Sequence, residues 1–190
     1  MRSTRLLKLA AAIAFTAATS ARADDVPVPI NLQADLLYMI VGHDRNLAAR
    51  AGGTVHTLVL TKSGDEGVRA SARFRSAAAA KAAVAGLPHV VEVEQYTTPA
   101  ALADACRTRH IAIVWLSPGF SGAEAAAIGH ALAGVSVLTA SASPAVVHKG
   151  IVLGFDLSAG RTRILADLTQ AAKQHVAFGP DVLGLMAVSR

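Results

Sequence analysis

Four short runs of aliphatic and β-branched residues, separated by longer stretches with helical signals, constrain this fold more than any other feature. They are Thr54–Thr61, His89–Tyr96, Ile111–Leu116 and Val135–Thr139. Each is too short for a good helix and rich in residues that suit a pleated surface. After the first run, Ser63-Gly64-Asp65 makes a turn, and Asp65 and Glu66 favour the start of a helix from about Glu66 to Ala85. Gly86 closes that helix and Pro88 prevents its continuation. Thr98-Pro99 opens a second helix with a cap and a proline in its first turn. The run Ser117–Gly122 is a turn, with Ser121 capping a third helix that reaches Ala133. Strands that alternate with helices predict right-handed crossovers and a mainly parallel sheet, helices on both faces.

Both ends depart from that rhythm. Leu32, Leu36, Leu37, Ile40 and Leu47 keep helical spacing behind Asn31, a candidate cap, and predict one amphipathic helix ending near Gly52-Gly53. Ile151–Leu157 and Arg161–Asp167 flank the three residues Ser158–Gly160 and predict an antiparallel hairpin. A helix capped by Asp167 or Thr169 should follow, and Gly179-Pro180 precedes a last short helix from Asp181. There is no internal repeat and no long linker. The expected fold is a single α/β domain: a mainly parallel sheet, flanking helices and a C-terminal antiparallel hairpin.

The first residues predict export. Arg2, Arg5 and Lys8 precede an apolar run from Leu9 to Ala18, and Ala21-Arg22-Ala23 puts small residues where a signal peptidase reads. The apolar run is half the length a membrane-spanning helix needs. Residues 1–23 are therefore expected to be a signal peptide cleaved after Ala23, and 24–190 the working domain, periplasmic and not inserted in the membrane. Export also changes the charge. The chain carries 18 basic and 13 acidic residues, but four of the bases (Arg2, Arg5, Lys8, Arg22) lie in the leader. The remainder, 14 against 13, is close to neutral, so nucleic acid is not an expected partner. Cys106 is the single cysteine and cannot close a disulfide within the chain.

Chemistry is hard to find. The seven histidines form no HxH, HxxxH or HExxH pattern, so no local metal site is signalled. Gly119-Phe-Ser-Gly122 sits on a strand-to-helix turn, yet a nucleophile elbow needs its second glycine one place later, where Ala123 stands. Capping accounts for Ser121. No phosphate-binding glycine motif is present. Glu92 with Glu94, and Arg69 with Arg73, Arg75 and Lys81, are most simply solvated faces. Neither catalysis nor a cofactor is expected.

The C-terminal half resembles the YfiR/HmsC-like family. The resemblance rests on Val137–Thr139, the glycine-led run Gly150–Leu157, then Gly160–Ile164 and Leu168–Ala171, with Leu36-Leu-Tyr38 matching an apolar-aromatic N-terminal helix. The family pattern implies a periplasmic, non-catalytic regulator that binds an inner-membrane signalling protein, such as a diguanylate cyclase, and holds it inactive. It also implies a tendency to homodimerise, and a role in cyclic-di-GMP signalling and biofilm output. The sequence departs at Asp44-Arg45-Asn46, where many members carry a Trp-Pro step, and that stretch is the candidate partner contact. Two other classes stay open. A small periplasmic solute-binding protein would hold its ligand near Thr61–Ser63, Ser117–Phe120 and Thr139–Ser141, beyond the strand ends. A hydrolase would use Ser121.

Overall fold

A computed structural model describes residues 27–158 and 160–189. The leader and its cleavage point after Ala23 lie outside the described residues. The chain runs α1 (Ile30–Val41), α2 (Leu47–Ala51), β1 (Val55–Thr61), α3 (Asp65–Ala79), β2 (Ala83–Val84) and β3 (Leu87–Gln95). It continues α4 (Pro99–Thr108), β4 (Ile111–Leu116), α5 (Gly122–Ala131) and β5 (Leu138–Ser141). After a 3-10 turn at Pro144–Val146 come β6 (Leu153–Ser158), β7 (Arg161–Asp167), α6 (Leu168–Lys173), α7 (Pro180–Leu183) and β8 (Met186–Ser189).

One eight-stranded sheet in the order β2-β3-β1-β4-β5-β6-β7-β8 organises the described residues. The centre, β3-β1-β4-β5-β6, is parallel, and β6-β7 is the antiparallel hairpin. The expected α/β domain is the observed one. β4 is buried at every residue, as a strand covered on both faces must be. Ile113 and Trp115 face the core beneath α1 and α3, while Val114 and Leu116 join the core beneath α4 and α5. Phe74 of α3 stacks on Trp115 with centroids 4.2 Å apart, which fixes α3 against the sheet's middle strand.

Local signals placed several boundaries well. Thr98 caps α4 through Ala101 N–H, Ser121 caps α5 in a reciprocal box with Glu124, and Asp167 caps α6 through Gln170 N–H. Other expectations needed correction. α1 begins after Pro29, and Asn31 lies inside it without capping anything. The single N-terminal helix is two, because Asp44 leaves helical geometry to bridge Phe178, far along the chain. The helix expected to reach Ala85 stops at Ala79. Ala85 and Gly86 both take positive φ, 52° and 81°, and turn β2 back onto the start of β3. The hairpin loop is two residues long, since Ser158 pairs with Arg161. β5 starts at Leu138 instead of Val135. β8 was not expected, and it pairs parallel to β7 at the sheet's edge.

Candidate functional site

The catalytic candidates are spent on structure. The Ser121 hydroxyl accepts from Glu124 N–H at 3.2 Å and donates to Glu124 Oε2 at 2.9 Å. Glu124 also binds Lys62, whose ammonium lies 5.6 Å and 5.5 Å from the ring centroids of Tyr96 and Phe120. The Lys62 ammonium, then the Ser121 N–H, hold the Glu124 carboxyl down at about 2. Among the described residues no histidine hydrogen-bonds Ser121, so the base that would activate it is missing from its contacts. Burial pushes the Cys106 thiol up to about 12, which leaves it protonated. Among the described residues no group of three or more His, Cys, Asp or Glu could hold a metal ion.

His89 has an internal role too. Its Nδ1 lies 3.0 Å from the Lys81 carbonyl, which can only accept, so Nδ1 carries the proton. Nε2 of the neutral ring then accepts from the Thr57 hydroxyl at 2.9 Å, and Thr57 accepts from the Tyr38 hydroxyl at 3.2 Å. This chain ties α1, β1 and β3 together. Desolvation lowers the His89 pKa and raises that of Tyr38, so both stay neutral.

Asp44-Arg45-Asn46 joins distant parts of the chain. The Asp44 carboxylate is buried and accepts from Arg50, from Asn46 N–H at 3.1 Å and from Ala177 N–H at 3.0 Å. Arg45 and Asn46 are exposed, and they donate to the carbonyls of Phe178 and His175 at 3.3 Å and 2.8 Å. Asn46 also lines a cavity of about 480 Å³ at the amino ends of β4 and β5, with Arg50, Arg107, His110 and His175. Arg50 is buried, and its Nε and Nη1 find no partner. The charges on this wall are balanced, because Arg50 pairs with Asp44 and Arg107 with Asp104.

A second cavity, of about 280 Å³, lies at the opposite ends of the strands. Arg69 and Arg73, read in the sequence only as a solvated face, line it together with Gln33. Sequence reasoning missed Gln33, Arg50 and Tyr38. A signal for Gln33 existed, because it falls on the Ile30-Leu37-Val41 stripe of α1, where an amide breaks an apolar face.

The YfiR/HmsC-like family profile matches residues 31–186, from the first turn of α1 into β8. The chain belongs to that family. A search of curated proteins finds no match. Among solved structures, the chain is similar to the ABC domain in complex with L-Trp from Streptococcus pneumonia, at 11% identity and a TM-score of 0.58, covering 84% of this chain. It is also similar to a conserved domain protein from Vibrio cholerae O1 biovar El Tor, at 12% identity and TM-score 0.55, covering 87%. The chain spans 61% of the length of each of those structures. Identities this low show a shared fold and nothing further.

Proposed function

We propose that this chain is an exported, non-catalytic regulator that binds a signalling protein of the inner membrane, such as a diguanylate cyclase, and represses it. Membership of the YfiR/HmsC-like family over nearly the whole described fold carries this reading. Three further observations support it. The N-terminal residues have the pattern of a cleaved export signal, which would put the domain in the periplasm. No described helix is long and apolar enough to cross a membrane. The polar groups that could have done chemistry are used in caps and ties.

A recognition surface needs an apolar centre that can be desolvated. The sheet offers one at its C-terminal edge, where Leu185 and Val188 are exposed beside β8. Exposed edges invite strand pairing, by a partner or by a second copy. Of the candidate contact Asp44-Arg45-Asn46, the exposed Arg45 and Asn46 form the polar contact in this reading, displayed in the turn between α1 and α2 against the 175–178 segment, while Asp44 is buried.

Crosslinking in the native envelope, followed by capture of this chain, tests the proposal. An inner-membrane protein with a periplasmic domain should be recovered, and R45E should reduce its yield. Deletion should raise cyclic-di-GMP when that partner is a cyclase. Recovery of soluble enzymes only, with unchanged cyclic-di-GMP, would overturn the reading.

A further inference from the structure

The strand order reverses between β1 and β4. From β1 the chain passes through α3 to β3 on one side, and from β4 through α5 to β5 on the other. The helices that follow leave on opposite faces, α3 over one core and α5 over the other. Beyond the carboxyl ends of strands, such a reversal leaves a crevice. Two features hold this one in shape. The Ser117 hydroxyl accepts from Lys62 N–H at 2.8 Å, which ties the loop after β1 to the loop after β4. Gly67, in the first turn of α3, sits so close that a Cβ would stand 2.5 Å from the Lys62 carbonyl oxygen.

The cavity of about 280 Å³ lies beside this tie, between α3, the start of α1 and the carboxyl ends of the strands. Val28, Ile30, Ala70 and Pro118 give it apolar walls. Its polar side chains have capacity to spare. Gln33 is fully buried, donates Nε2–H to the Val28 carbonyl at 2.9 Å, and leaves Oε1 with no hydrogen-bond partner. A buried amide oxygen without a donor keeps its full desolvation penalty until something supplies one. Arg73 and Glu66 make no ion pair among the described residues, and Arg69 reaches only the exposed Asp65, at 3.9 Å. Arg69 and Arg73 stand one helical turn apart on the same face of α3.

We infer that this cavity is a binding site for a small carboxylic acid with an apolar body and an N–H or O–H donor next to the carboxylate: a 2-amino or 2-hydroxy acid. The two guanidinium groups take the carboxylate, and Gln33 Oε1 accepts from the donor. The apolar body packs against Val28, Ile30 and Pro118. Glu66 gives the ammonium of an amino acid a counter-charge and so favours that class over its hydroxy analogue. The site is independent of the membrane partner, and its test uses the purified chain alone.

Calorimetric titration with L-leucine, 2-hydroxy-4-methylpentanoate and 4-methylpentanoate separates the parts. The first two should bind with Kd below about 1 mM, and the third, which has no donor for Gln33, at least about tenfold more weakly. R73M should weaken all three by about tenfold or more, and E66Q should weaken leucine while sparing the hydroxy acid. Q33L should bring the first two down to the affinity of the third. Should Q33L fail to fold, R73M at the exposed surface decides. No heat from any probe at about 10 mM overturns the proposal. So does binding that R73M leaves unaltered, since the ligand then sits elsewhere. Equal affinity for 4-methylpentanoate removes Gln33 from the site and overturns the assignment of the ligand class.

Discussion

The two ends of the parallel sheet use charge in opposite ways. At the amino ends, Asp44 and Arg50 have side chains 0% and 1% exposed, and the carboxylate collects backbone N–H groups from two segments far apart in sequence. At the carboxyl ends, Arg69 and Arg73 stay in solvent on one face of α3, and the Lys62–Glu124 pair is about 30% exposed. A buried pair gains little from its own attraction once desolvation is charged against it, but removing one partner strands the other. An exposed pair is screened and nearly dispensable. The first end therefore holds the chain together. The second is free to meet a ligand.

Mutation should expose this difference in order of size. D44A leaves the Arg50 guanidinium buried and unpaired, and should destabilise the protein by about 3–5 kcal/mol. Urea unfolding would read that loss as a lower midpoint at constant slope. A loss within about 0.5 kcal/mol would place Asp44 among ordinary surface residues and erase the contrast between the ends.

The next effect is a pH dependence at the amino end. Burial holds the folded-state pKa of His89 below its ordinary 6.5, so folding favours the neutral ring. Its contribution is complete above pH 6.5 and is lost as pH falls from there through the lower folded-state value. Unfolding curves of H89N should show a shallower loss across this window than the wild type. Identical slopes would mean that His89 binds its proton equally well in the folded and unfolded states.

At the carboxyl end the corresponding window is more acidic. The Glu124 carboxyl falls from an ordinary 4.5 to about 2, chiefly through Lys62. Its contribution is present above pH 4.5 and is lost as pH falls towards about 2. K62M should flatten stability in that interval, and added salt should shrink the difference, because the pair faces solvent. The smallest effect belongs to R73M, which should change stability by no more than about 0.5 kcal/mol. A larger loss would show that this end also serves the fold.

Much of the architecture was legible along the chain because it depends on near neighbours. Thr98, Ser121 and Asp167 cap the helices that follow them through bonds spanning three residues. β4 reads as a buried strand from its composition alone, and the hairpin arms from their aliphatic runs around a glycine. The candidate sites were less legible. Glu92 and Glu94 looked like a bare solvated face, and both are bound by Arg109 at the far end of α4. Arg69 and Arg73 were visible as a basic pair, but their cavity needs Pro118 and the start of α1 as neighbours. β8 gave almost no signal: Met186–Ser189 is short and half-exposed, and it is fixed as a strand only by pairing its four residues with β7.

By itself, the order of residues determined the type of most elements, the parallel core and the caps at Thr98, Ser121 and Asp167. Periodicity and capping are local, and each is satisfied or violated within a few residues. Tertiary structure alone decided that Asp44 would break the first helix to reach the 177–178 segment, and that Gln33 would keep an amide oxygen idle beside two arginines. Those arrangements arise because buried polar groups must find partners in space, and the partners they find lie anywhere along the chain.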